Sequence, residues 1–441
     1  MRKGLQTLEI SFTETGLTHF GGMLLIQRFC NQLKIRRRLQ RVLRLRNIHG
    51  EYPGADMILA LMFAVIAGLR RINKTEILQY NGPFLTLLGL KRFPDQSTLR
   101  RFLQRQSPNA IRRIVRVHDQ LRQTLLALPP VPNSLVFDLD SVVLTLYGKQ
   151  QGARVGYNPK KHGRRSYHPL LCFETQRQEF WHGSLRPGNA ACNTGAIPFM
   201  RRCLDKAPSH IARSRIRVRA DAGFFGHRFV EFLDQMGCGY VIVAREYKTI
   251  RSRAYSARFR ALRLGWEVAE FRYCPVHWRQ KHRFVVIRRP IPEDPAEAKQ
   301  LTLFKDRRYA YSVLVTNLRM SAWRVWRFYC PRATVEKNIR ELLYDLPLGK
   351  IPTEEWIANV AFFQLILFAY NLVHWFKRLC LPPEYLHSTI ETVRTDFLML
   401  PARLTRTGHR NILHLPRDYH YRDSFAAAFK KVQRLRLPSK K

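Results

Sequence analysis

The stretch Ser134-Leu-Val-Phe-Asp-Leu-Asp-Ser141 (SLVFDLDS) decides how the rest of this chain is read. Side chains alternate across a strand, so Asp138 and Asp140 leave one face while Phe137 and Leu139 leave the other. One face can therefore pack while the other carries two carboxylates. Moving towards the C-terminus, Tyr167–Thr175 and Glu179–Leu185 predict two more strands, and Asn189–Leu204 a helix. Ser214–Asp221 predicts a strand, His227–Met236 a helix and Tyr240–Ala244 another strand. Three strands, a helix, a strand, a helix and a strand specify the α/β class, a mixed sheet with helices on both faces.

The flanking regions differ in character. Residues 1–130 read as helical, and Pro129-Pro130-Val131-Pro132 ends them, because proline fixes φ and cannot continue a helix. Within this region Ile35–Arg46 (IRRRLQRVLRLR) sets Leu and Val at helical spacing and leaves a row of guanidinium groups, Arg36 and Arg37 among them. Further on, Ser97 or Thr98 is the expected N-cap of a helix projecting Arg100, Arg101 and Arg105. Helix, turn and basic helix match a helix-turn-helix reader of DNA, and a helical bundle with a solvated basic surface accounts for this segment equally well. The α/β part spans 134–246. Residues 247–320 are β-rich and read as an insertion of their own, 321–381 return to helix, and 382–441 form a basic helical C-terminal region.

The charge balance narrows the function. The 441 residues carry 76 Lys and Arg against 32 Asp and Glu, a net charge of +44. Such a chain attracts polyanions, nucleic acid before an anionic membrane surface, and is ill suited to a small neutral substrate. With 46% hydrophobic residues it nonetheless builds real cores. No apolar segment of secretory type follows the N-terminus. Met57–Leu69 is too short to span a bilayer, and Asn359–Phe376 is interrupted by Gln364, Asn371 and His374, so both read as core helices, with no membrane as partner. The eight Cys include no CxxC pair, and Cys274, His277 and His282 lack a second Cys, which argues against both a disulfide framework and zinc. A reducing, cytoplasmic setting follows.

In a chain so short of acids, the placement of the carboxylates is informative. Asp221 ends the strand Arg217–Asp221, just before Ala222-Gly223, at the sheet end where α/β proteins hold ligands. In Tyr329-Cys-Pro-Arg-Ala-Thr-Val-Glu-Lys-Asn-Ile-Arg340 the spacings of three, four and four put Tyr329, Arg332, Glu336 and Arg340 on one helical stripe. Val335, Ile339 and Leu342 occupy a separate face that packs. Each feature has an ordinary explanation alone: a strand Asp accepting backbone amides, an Asx turn, or an i,i+4 ion-pair ladder worth roughly 0.3–0.5 kcal/mol per pair. Together, in a chain this basic, they match phosphodiester chemistry. Two Mg²⁺ ions roughly 3.5–4 Å apart stabilise the attacking and leaving oxygens, and hard cations need only carboxylate and water oxygens.

At these residues the chain resembles the DDE transposases of bacterial insertion sequences, in the ribonuclease-H-like superfamily that includes retroviral integrases. FDLDS (137–141), RADAGF (219–224) and YCPRATVEKNIREL (329–342) carry the resemblance, with GYNP (156–159) and YHPL (167–170) as a further shared feature. It covers about 134–345 and points to the subgroup with a Tyr-Arg-Glu-Lys signature and a β insertion before the catalytic Glu. The resemblance implies Asp140, Asp221 and Glu336 as metal ligands and catalytic residues, Asp140 being favoured over Asp138 because Ser141 follows it. It implies Mg²⁺, with Mn²⁺ as substitute, and DNA-backbone contacts by Tyr329 and Arg332. The signature Lys falls at Leu343, which cannot hold a phosphate, so either Arg340, one turn earlier on the stripe, substitutes for it or the role is lost. It further implies a nucleoid-associated bacterial protein acting as a homodimer in a synaptic complex with element ends and target DNA, by cut-and-paste through a hairpin. In this subgroup an aromatic of the β insertion stabilises a flipped base. Trp266 and Trp278 within 247–320, and Trp323 and Trp326 just after it, are available, and the sequence does not select among them. The alternatives are a Mg²⁺-dependent nuclease without strand transfer and a DNA-binding protein without catalysis.

Overall fold

Alternation builds the central strand as expected. In the computed structural model Leu135–Ser141 forms β1, with Phe137 and Leu139 buried in an apolar cluster. The structure describes residues 10–43, 52–262, 265–291 and 309–438. The chain divides into two compact units, Arg122–Glu341 and a second made of Met1–Leu121 with Leu342–Lys441. The first division falls inside the helix Pro108–Leu126, upstream of the proline-rich stretch.

Unit Arg122–Glu341 holds one sheet of nine strands. After β1 come β2 (Leu170–Glu174), β3 (Glu179–Ser184), β4 (Ile216–Ala220) and β5 (Gly239–Val243). Then follow β6 (Arg260–Ala261), β7 (Glu267–Tyr273), β8 (His282–Pro290) and β9 (Tyr309–Thr316). The spatial order is β6-β7-β8-β9-β5-β4-β1-β2-β3. β1 pairs antiparallel with β2 and parallel with β4, and β4 pairs parallel with β5. The sub-order β3-β2-β1-β4-β5 is that of a ribonuclease-H-like core.

Both faces are covered. On one, Phe137, Leu139, Val218 and Ile242 pack with Phe199 and Met200 of the helix Ala196–Asp205 and Val230 and Leu233 of His227–Gln235. On the other, Val241, Val285, Ile287 and Leu314 pack with Ala322 and Val325 of the helix Ala322–Tyr329. The helix expected from Asn189 begins only at Ala196, after Gly195 in the left-handed region (φ 71). The residues before it are held as a loop by Arg186, whose Nη1 donates to the carbonyls of Ala191 (3.2 Å) and Thr194 (2.6 Å).

The β-rich stretch is not a sheet of its own. Its last strand, β9, pairs antiparallel with β5, Leu314 opposite Val243, so its strands extend the core sheet. It also contains a helix, Lys248–Tyr255, which buries Ile250 and Ala254. Residues 263–264 and 292–308 of this stretch, and residues 44–46 of the Ile35–Arg46 helix expectation, lie outside the described residues.

The other unit is mainly helical. Trp356–Cys380 packs against Gly54–Ile66 and Gln96–Gln104. It is long and apolar enough to cross a membrane by length alone, and 78% of its most apolar window is buried within the protein. Its polar residues are accommodated inside: Asn371 Nδ2 lies 2.8 Å from His118 Nε2, and His374 stacks on Tyr370. The C-terminal region is not purely helical. Ala402–Thr407 and Arg410–His414 form a hairpin that turns at Gly408-His409, with Gly408 at φ 57, and Leu17–Thr18 adds a third strand. Basic composition suggested helix there, but alternating side chains around a positive-φ glycine favour a hairpin. The tail ends in the helix Arg422–Arg434; residues 439–441 lie outside the described residues.

Candidate active site

β1 and β4 are adjacent and parallel, Leu139 opposite Ala220, so their C-terminal ends deliver Asp140 and Asp221 to the same sheet edge. Asp221 Oδ1 accepts the Gly223 N–H at 2.9 Å and caps the turn Ala222–Phe224. A Cβ on Gly223 would stand 2.8 Å from Cys192 Cβ and 2.9 Å from that same Oδ1, so the turn needs glycine. Asp140 Oδ1 accepts the N–H of Ser141 at 2.8 Å.

Arg332 joins the two acids. It ends the turn Cys330–Arg332, which continues the helical path from Ala322–Tyr329 into Ala333–Tyr344 despite Pro331. Its buried Nη2 lies 3.2 Å from Asp140 Oδ2 and 3.6 Å from Asp221 Oδ2, and donates to the Leu139 carbonyl at 3.4 Å. Burial pushes the Asp140 carboxyl up to about 6; Arg332 and the Ser141 N–H oppose this, while the charges of Asp221 and Glu336 add to it. Burial likewise pushes the Tyr329 hydroxyl up to about 12, against the pull of Arg332. His168, whose Nδ1 lies 2.6 Å from the Ala190 carbonyl, is lowered by burial and pulled back up in part by Asp221.

The expected stripe has distinct parts. Glu336 is exposed in the first turn of Ala333–Tyr344 and acts on Asp140 through its charge. Arg340 is also exposed, whereas Val335, Ile339 and Leu342 are buried as the spacing predicted. Among the described residues no three His, Cys, Asp or Glu side chains close on one ion position.

Asp138, the alternative first ligand, is engaged elsewhere. Fully buried, it receives a two-pronged ion pair from Arg219, Nε to Oδ1 at 2.6 Å and Nη2 to Oδ2 at 2.7 Å, plus a hydrogen bond from Thr175 at 3.0 Å. Arg219 also donates to the Phe328 carbonyl at 2.7 Å. This pair ties β1, β4 and the helix Ala322–Tyr329 together beneath Asp140. Sequence spacing gave no sign of Arg219's role, because Arg217 and Arg219 alternate alike with the apolar residues of β4 and only burial sets Arg219 apart.

The tryptophans fall into two groups. Trp278 lies 5.2 Å from Phe225 and 4.8 Å from His282 between ring centres. Trp266 lies 6.0 Å from Trp323 and 5.9 Å from Trp326, which stacks on Tyr329 at 6.3 Å. Trp326 is thus the one whose neighbour touches the Arg332 stripe.

In the helical unit, the cap of Gln96–Gln104 is Asp95, whose Oδ1 accepts the Ser97 N–H at 2.7 Å, in place of Ser97 or Thr98. The shift arises because Asp95 can accept from the second residue of the helix, as a capping side chain must. Arg101 and Arg105 are exposed and Arg100 is half-buried. Arg37 is exposed, while Arg36 pairs with Asp56 at 3.3 Å and donates to the Gly89 carbonyl at 3.2 Å.

A family model described as transposase DDE domain group 1 matches residues 2–437. Among solved structures, the chain is similar to a piggyBac transposase synaptic complex with hairpin DNA, at 12% identity and a TM-score of 0.41, over 86% of this chain and 88% of that one. No curated protein matches.

Proposed function

Because this chain belongs to the DDE-domain transposases, we propose that Asp140, Asp221 and Glu336 are its catalytic carboxylates and that it excises and inserts a bacterial insertion sequence. The observation that carries this reading is the pair of acids at neighbouring strand ends, Asp140 and Asp221, sharing the single guanidinium of Arg332.

The donor set fits a hard divalent cation, Mg²⁺ with Mn²⁺ as substitute: carboxylate oxygens only, with Asp140 raised to about 6 by burial and by neighbouring negative charge that a cation would offset. Held by Asp140, Asp221 and Glu336, the metal would supply Lewis-acid stabilisation of the phosphodiester oxygens. The chain's own groups do the rest. Arg332 holds Asp140 and Asp221 in register and offers its guanidinium to a DNA phosphate, beside the Tyr329 hydroxyl. Arg340, where the subgroup's Lys is replaced by Leu343, adds positive charge along the same helix.

In this reading the helical unit, through Arg36, Arg37, Arg100, Arg101 and Arg105, binds the terminal inverted repeats. Water opens the backbone at the element end and leaves a 3′-OH. That hydroxyl attacks a phosphodiester of the opposite strand, which closes a hairpin and releases the flanking DNA with a 3′-OH. A second water hydrolyses the hairpin, and the regenerated 3′-OH attacks a target phosphodiester and displaces a target 3′-OH. Two copies of the chain pair the two ends on the nucleoid in the cytoplasm.

The test is Asp221→Asn assayed with Mg²⁺ and DNA carrying the element ends. Cleavage should disappear while end binding persists, since an amide oxygen is a poor Mg²⁺ ligand. Cleavage at the wild-type rate would remove Asp221 from the site. Cut ends that never join a target would reassign the wild-type protein as a nuclease.

A further inference from the structure

Between β1 and β2 the chain makes a small sheet of its own, Leu144–Thr145, Arg154–Val155 and Arg165–Tyr167, with the last strand central. It grows directly from the end of β1 that carries Asp140: the Val142 N–H donates to the Pro169 carbonyl at 3.2 Å, and Leu170 pairs with Ser141. Its inner side is well tied down. Leu144, Leu146, Ala153 and Tyr167 are buried. Asn158 donates to Thr145 Oγ1 and accepts from the Lys161 N–H, both at 3.0 Å. Gly156 and Gly188 cross so closely that a Cβ on Gly156 would stand 2.1 Å from the Gly188 carbonyl oxygen.

The outer side differs from an ordinary solvated surface in two ways. From Val142 to Phe173 there is no Asp or Glu, while Lys149, Arg154, Lys160, Lys161, Arg164 and Arg165 are all exposed. Two aromatic rings also stand in water on this ordered module, Tyr147 at 73% exposure and Tyr157 at 68%. Positive charge alone serves solubility or any polyanion. Exposed ring faces among the cations add a stacking platform, which a base can use only when it is out of its duplex.

We propose that this module is a binding platform for unpaired DNA flanking the cut phosphate, its Lys and Arg tracking the backbone and Tyr157 and Tyr147 stacking on bases. The proposal rests on the DNA-cleavage reading above. Its readout is binding in EDTA, so a loss of cleavage activity and a failure of the platform are separable.

The probe is a forked DNA with unpaired thymidine arms, compared with the same length fully paired, titrated with full-length protein across a salt series. Tyr157→Ala should weaken fork binding about tenfold or more and leave the paired duplex unchanged. Replacing Lys160, Lys161 and Arg164 together by Ala should lower the salt slope on the fork by about 2, at roughly 0.7 per single-strand phosphate contact. Removing Arg406 and Arg410 from the exposed C-terminal hairpin is the control for bulk charge. An unchanged fork affinity for Tyr157→Ala, equal losses on fork and duplex, or a slope change matched by the control would each overturn the proposal.

Discussion

Asp140 should cost the metal-free protein stability, and the cost should be visible as a pH dependence. Its carboxyl is displaced from 3.8 to about 6, burial being the first cause. A group whose folded value lies above its unfolded value contributes stability that is complete below the unfolded value and is lost as pH rises through the folded one. The displacement of about 2 units, at roughly 1.36 kcal/mol each, means that wild type forfeits up to about 3 kcal/mol as pH rises from about 4 to beyond 6. Asp140→Asn removes the titration and keeps the shape, so its stability relative to wild type should climb over that window and level off above it. Arg332 keeps Asp221 as a partner at 3.6 Å, and the loss of its Asp140 contact subtracts from the gain. The assay is urea unfolding in EDTA at a series of pH values, with the difference between the two proteins isolating this one acid from the rest. Adding Mg²⁺ at pH 8 should restore stability to wild type and much less to the variant. Parallel pH curves, or equal stabilisation of both proteins by Mg²⁺, would refute the reasoning.

Asp138→Asn should behave in the opposite way, losing about 3–5 kcal/mol at neutral pH because Arg219 is left buried with its charge unmatched. Thermal melts of the two Asn variants, run side by side, check that contrast. Replacing Arg100 and Arg101 by Ala should reduce the salt slope of end binding by up to about 2, at roughly 0.9 per duplex phosphate lost. Filter binding between low and moderate salt measures it, and an unchanged slope would leave that helix a purely structural part of the bundle.

How far the sequence could be read depended on the range of the signal. Strands β1 to β5 declared themselves because the signals are local, alternation in β1 and β4 and short apolar runs in β2 and β5, and Asp221 because a strand followed by Ala-Gly marks a sheet end. The choice between Asp138 and Asp140 was not local. Both leave the same face of β1, and what separates them is Arg219, one strand away in space and 81 positions away in sequence. Strand pairing is equally invisible to periodicity, so the junction of β9 with β5 that merges the insertion with the core sheet had no forerunner in the sequence. The C-terminal hairpin was readable in principle, since Ala402 and Leu404 alternate with Arg403 and Thr405 ahead of the Gly408-His409 turn, but composition outweighed pattern there. Arg332 was assigned to DNA by resemblance alone; its position between Asp140 and Asp221 needed coordinates.

The helical unit is assembled from both ends of the polypeptide, and this constrains its synthesis. Every residue from Met57 to Ile66 is buried in it, and the helix that packs on them, Trp356–Cys380, emerges from the ribosome some three hundred residues later. Until then the nascent chain must carry an apolar rod covered only in part, by Ile35–Val42 and Gln96–Gln104, while the intervening α/β unit already has all its strands. Premature termination ahead of Trp356 would therefore yield a sticky fragment, a substrate for chaperones and proteases.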